Sequence, residues 1–179
     1  MMTRSAVPLT ADAIDEARDF MRVGQDCDDA LIAGLMITAI GHCEDFTGRM
    51  LINRAVREIV APRSCWRTLG SAPVSAITRV SALAIDGSET VLPSGDYAID
   101  LDTEARGLIR FLALPRSLRM AVDYTAGEAA RWHAIPAGLR QGIIGLVALW
   151  YGARDRADAP VATEAILALW RGARRVRLS

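Results

Sequence analysis

Apolar residues recur at helical spacing near both ends of the chain and at alternate positions through its middle, which predicts helices flanking a β unit. Ile14, Ala17, Arg18 and Met21 follow Thr10 at helical spacing, so Thr10 is the expected N-cap of a first helix ending near Met21. Asp26 or Asp28 is expected to open a second helix over residues 29–46, with Leu31, Leu35, Thr38, Ala39, Cys43 and Phe46 as its apolar stripe and Gly48 as its C-cap.

From residue 51 the period changes to two, predicting strands at 52–60, 77–85, 97–101, 107–111 and 118–124. The last is the clearest, because Leu118, Met120, Val122 and Tyr124 alternate with Arg119, Asp123 and Thr125. Asp86-Gly87 and Pro93-Ser94-Gly95 are turn signals, and Thr125-Ala126-Gly127 ends the β region. Pro136 then sits where a first-turn proline loses no hydrogen bond, and an apolar run over 143–151 follows before Arg154 and Asp155. That apolar stretch is too short to cross a bilayer, so it reads as a core helix. A fourth helix is expected over 161–171. The fold class is therefore α+β: a four-helix α body with an inserted antiparallel β unit between the second and third helices. In domain terms, residues 1–50 and 127–171 form the body, 51–126 the β unit, and 172–179 a basic tail.

Composition adds three points. The 179 residues are 51% hydrophobic but only 6% aromatic, so the core is expected to be aliphatic and disorder is disfavoured. All basic residues are arginine, a pattern attributed mainly to a G+C-rich genome, although arginine also suits fixed interface geometry. Net charge is zero, yet residues 1–47 hold three arginines against nine acids, and residues 106–179 hold twelve against five. Such polarity suits packing of one copy's acidic end on a neighbour's basic end, or docking on an acidic partner, as well as plain solvated faces. Cys27, Cys43 and Cys65 are widely spaced with no CxxC, which argues against a disulfide framework or zinc knuckle and favours a reducing compartment. The N-terminus shows no charged and apolar secretory pattern, so assembly in the cytoplasm is expected.

Candidate chemistry is sparse. His42-Cys43-Glu44-Asp45 holds four ligand types, but consecutive helical residues point about 100° apart and do not converge on one ion. Asp96, Asp100, Asp102 and Glu104 alternate with Tyr97, Ile99 and Leu101, as the polar face of an amphipathic strand does, and lack calcium-loop spacing. His133 stands beside Trp132 with no GxSxG serine to serve, and no phosphate-binding glycine motif occurs. No cofactor, metal or catalytic residue is expected. Gly34 and Gly41 lie seven apart in the second helix, and Gly138, Gly145 and Gly152 repeat that spacing in the third, which predicts close helix packing within or between copies. The arginines of the tail, with Val176 and Leu178 between them, read best as a docking segment.

Several segments taken in order, LIAGLMITAIGHCEDFTGRMLI, SAPVSAITRV, GDYAIDLDTEARGLIRF, VDYTAGE, IPAGLRQGIIGLVALWYGARD and LWRGARRVRL, resemble the tailed-phage head–tail connector (adaptor) family, with relatives in prophages and gene transfer agents. The resemblance covers nearly the whole chain. It implies a non-enzymatic structural protein that forms a ring, of twelve subunits, on the portal protein, with tail-side stopper and tail terminator components below. DNA would pass through the channel with transient, nonspecific contact, and the protein would reside in the virion or virus-like particle without touching a membrane. By position, Trp170, Arg171, Arg174, Arg175, Val176, Arg177 and Leu178 would reach the portal. The family's TGR turn falls on Thr47-Gly48-Arg49, where Gly48 caps the helix and Arg49 pairs with an acid or meets a neighbour. Trp132-His133 has no counterpart in the family pattern. Alternatives are a tail-side completion or joining protein and a small metal-dependent enzyme.

Overall fold

The computed structural model describes residues 1–24, 28–113, 119–154 and 160–174. They divide into two compact units, Met1–Ala6 with Asn53–Glu128 and Val7–Ile52 with Ala129–Ser179. The α+β class is as expected, with four α-helices among the described residues and antiparallel sheets lying between the second and third of them. The element order differs from expectation in one respect: a strand, β1 (Met2–Arg4), precedes the first helix and pairs with β2 (Arg54–Val60). Three residues are too few to show a period, so nothing in the pattern announces it.

The β unit contains two antiparallel sheets. The larger has the order β1-β2-β8-β4-β5, with β4 at Val74–Leu83, β5 at Glu89–Val91 and β8 at Arg119–Ala126. Strand β8 lies at its centre, aligned with Val56 opposite Tyr124 on β2 and Val80 opposite Val122 on β4. Met120, Ala121, Val122, Tyr124 and Ala126 are all buried, as a central strand requires. Strand β4 starts earlier than expected and accommodates two bulges, at Val74/Ala76 and Ile77/Arg79, which break the strict alternation. The smaller sheet has the order β3-β7-β6, with β3 at Arg67–Thr68, β6 at Tyr97–Leu101 and β7 at Gly107–Phe111.

Three long-range hydrogen bonds hold the turn after β3. Tyr124 donates its hydroxyl to Glu58 Oε2 at 3.2 Å and accepts from the Ser71 amide at 3.2 Å, while the Gly70 amide donates to the same carboxylate at 2.8 Å. Burial, with the adjacent Glu58 charge adding to it, pushes the Tyr124 hydroxyl up to about 12.

In the helical unit α1 spans Ala11–Met21, α2 Asp29–Thr47, α3 Ala137–Gly152 and α4 Glu164–Arg171. Thr10 occupies the N-cap position of α1 but makes no capping bond. The expected stripe of α2 needs correction: its buried positions are Ile32, Met36, Ala39, Ile40, Cys43, Glu44 and Thr47, whereas Leu31 is 41% exposed and Thr38 is exposed. Helix α2 is apolar almost all round, so it offers two stripes, and its partners decide which one is covered. Ile32, Met36, Ile40 and Cys43 join Leu139, Ile143, Leu146 and Val147 of α3 in one core with Trp132 and Trp170. Pro136 is the residue before α3 rather than inside it. Helix α4 begins three residues later than expected, where Thr163 Oγ1 accepts from the Ile166 amide at 3.5 Å and Glu164 sits in the first turn. Among the described residues no helix is long and apolar enough to cross a membrane.

Candidate partner surfaces

Trp170 is the pivot of α4. It is 1% exposed, its indole lies against Gly142 of α3, and its Nε1 donates to the Leu139 carbonyl at 3.4 Å. Expected among portal-contacting residues, Trp170 is buried and anchors α4 through its contacts with Gly142 and the Leu139 carbonyl. Arg171 is exposed and paired with Glu164. The Arg174 guanidinium lies 5.4 Å from the Phe46 ring centroid, a cation–π contact. Arg175, Val176, Arg177 and Leu178 lie outside the described residues.

Beside α4 an open apolar groove of about 810 Å³ runs between α2, α3 and α4. Leu31, Leu35, Thr38, His42 and Phe46 form one wall, so four residues of the expected core stripe line this groove, while its Ala39 and Cys43 are buried in the core as expected. Trp150, Val161, Leu167 and Trp170 supply the rest of its apolar surface, and Arg154 stands at its edge.

The glycines fall into two sets. A Cβ on Gly138 would touch the Leu169 carbonyl at 3.7 Å and one on Gly145 would touch Ile166 at 3.7 Å, both ordinary contacts with the α4 segment. Among the described residues, no other element comes within 4 Å of a Cβ added to Gly34, Gly41 or Gly152. The true close approach is at Gly142, where a Cβ would lie 2.2 Å from Trp170 Nε1, and the heptad spacing missed it. Gly48 has φ 69° and donates its amide to the Glu44 carbonyl at 2.8 Å, so it caps α2 as expected. Arg49 is half-buried beside it.

Trp132 and His133, unexplained by sequence, clasp the segment before α3 onto α1. Trp132 is fully buried and donates Nε1–H to Glu16 Oε2 at 2.6 Å. His133 Nε2 lies 2.8 Å from Asp12 Oδ2, and Arg140, a donor only, bonds His133 Nδ1 at 2.9 Å. The Thr10 hydroxyl first, then His133, hold the Asp12 carboxyl below its ordinary range. The separation of 116 positions between Glu16 and Trp132 puts this clasp beyond any local motif.

The two candidate metal stretches are occupied internally. His42 meets the Trp150 ring edge-on at 5.3 Å, burial pushes the Cys43 thiol well up, and the buried Glu44 accepts from the Leu51 amide at 2.9 Å. Asp102 accepts from the Glu104 and Arg106 amides at 2.9 and 2.8 Å and pairs with the Arg106 side chain at 2.6 Å, closing the β6–β7 hairpin. Those contacts, the Arg106 amide above all, hold the Asp102 carboxyl below its ordinary range. Among the described residues no three histidines, cysteines or acids gather as metal ligands do.

What remains is contact surface rather than a set of convergent polar groups, and solved structures of similar fold include particle components. A chain in the neck of an empty GTA particle computed with C6 symmetry matches with a TM-score of 0.81 and 31% identity, over 100% of this chain and 97% of that one. A chain in the virion of the native gene transfer agent (GTA) particle matches at 0.78 and 30%, and one in the neck of the native GTA particle computed with C12 symmetry at 0.76 and 30%, both over 100% and 97%. The class is that of phage and gene transfer agent neck-type structural proteins. Within it, this chain belongs to the family of the gene transfer agent neck protein that it matches from end to end. No family model and no curated protein matches it.

Proposed function

We propose that the chain is the head–tail adaptor of a gene transfer agent or phage particle. It forms a twelve-membered ring on the portal protein, passes DNA through its channel with transient contact, and receives the tail-side stopper and terminator. The observation that carries this reading is the end-to-end match, at 31% identity, to a chain of a symmetric particle neck. Similar chains in necks computed with both C6 and C12 symmetry favour twelve copies, since a twelvefold ring also satisfies sixfold averaging. The mechanism is binding alone.

In this reading Arg171 and Arg174 begin the portal-binding segment and Arg175, Val176, Arg177 and Leu178 complete it. Gly34, Gly41, Gly152 and Arg49 are candidates for packing between copies, the three glycines because, among the described residues, no other element comes within 4 Å of an added Cβ.

Co-elution with the portal protein of the same gene cluster tests the assignment. The shortened comparison chain should stop after Arg174, because a stop before Trp170 would remove a core residue. The full chain is expected to bind portal and the shortened one to lose most of that binding. Failure of both at low salt, with binding to a tail component instead, would replace the adaptor reading by that of a tail-side joining protein.

A further inference from the structure

We infer that the apolar groove between α2, α3 and α4 seats a second copy of this chain, presented through the exposed end of its α1 helix; this rests on the ring reading above. The groove leaves Leu31, Leu35, Phe46, Leu167 and Trp150 around one open volume of about 810 Å³. That is the size of a small-molecule site, but such a site needs polar groups aimed at its ligand. Here few are aimed inward: Thr38 donates to the Gly34 carbonyl at 2.9 Å, Trp150 Nε1 to the Pro160 carbonyl at 2.8 Å, Trp170 Nε1 to the Leu139 carbonyl, and the His42 ring packs edge-on against Trp150. An apolar floor with a polar rim is the anatomy of a protein interface.

The rim selects the occupant. Arg154 lies over the Tyr151 ring and Arg174 over Phe46, so both guanidinium groups border apolar surface at the groove. Among the described residues neither is within salt-bridge distance of a carboxylate, which suits an acidic and apolar partner surface. The end of helix α1 has that character: Phe20 is 49% exposed beside exposed Asp19, while Asp15 one turn earlier pairs with Arg18 at 2.8 Å. It contributes no residue to the groove. A cyclic ring of more than two copies is heterologous, so each chain must carry a socket and a separate, complementary plug. The groove and the end of α1 supply both from one helical unit.

The test is a photoreactive benzoyl-phenylalanine placed separately at Leu35 and at Thr38, on the two nearest turns of α2, in chains assembled into purified particles and then irradiated. The expected product from either position has twice the chain's mass, and digestion places the bond within residues 11–22. A second copy joined through another segment, a product with a different component, or no product from chains present in the particle would each overturn the inference while leaving the ring standing. Absence of the chain from particles would overturn the ring reading itself.

Discussion

At the scale of single residues, Gly142 and Tyr124 are the positions where small changes decide most. A Cβ at Gly142 would press on the indole of Trp170, a rigid ring that is 1% exposed. Removing a helical glycine gains up to about 1 kcal/mol, but overpacking a filled core costs about 1–3 kcal/mol. Gly142→Ala is therefore expected to lower stability by about 1–2 kcal/mol in denaturant unfolding, whereas Gly34→Ala, which meets nothing, should leave the free chain unchanged or slightly more stable. Tyr124 carries a pH dependence. Its hydroxyl titrates near 12 in the fold against 10 in an unfolded chain, so the stability it contributes is complete below pH 10 and is lost as pH rises through 12. Tyr124→Phe should weaken the fold at neutral pH, by leaving Glu58 and the Ser71 amide short of a partner, yet flatten the alkaline loss. Unfolding curves between pH 7 and 11.5 measure both effects.

At the scale of elements, short polar contacts set ends and joins that periodicity does not mark. Thr163 caps α4 with a bond of 3.5 Å, at the long limit of the range, so Thr163→Ala should cost about 0.5–1 kcal/mol rather than more. The β6–β7 hairpin depends on Asp102, whose carboxyl is held below its ordinary range by the Arg106 amide and side chain. Its contribution is present above the ordinary carboxylate range and disappears as pH falls through the lowered value. Asp102→Ala should therefore remove part of the acid-induced loosening of the hairpin, read from amide exchange of residues 97–111 between pH 5 and 2. The alternation of acids with Tyr97, Ile99 and Leu101 was legible in sequence as an amphipathic strand. Asp102's place as the hairpin clamp was not, because it depends on a turn that brings two amides and a guanidinium onto one side chain.

At the scale of the whole molecule, the acidic first 47 residues and the basic last 74 lie on one chain that is neutral overall. If copies meet acidic end to basic end, their association weakens with salt, as screening shortens from about 10 Å at 0.1 M to about 3 Å at 1 M. Sedimentation of chain bound to portal should show fewer retained copies as salt rises across that range. Retention unchanged by salt would assign the contact to the apolar groove alone and leave the charge polarity to solvent.

The sequence alone determined the α+β class, the strands that lie between the second and third helices and the Gly48 cap. These follow from hydrophobic period and local turn chemistry, which each stretch carries within itself. The order of its segments also pointed to the particle neck, which the end-to-end matches support. Only the tertiary structure decided which side of α2 is covered, because a helix apolar all round does not choose its own partner. It alone joined Trp132 to Glu16, seated Trp170 on Gly142 and drew Met2–Arg4 into the larger sheet, since each contact spans a separation in sequence that no periodicity reaches.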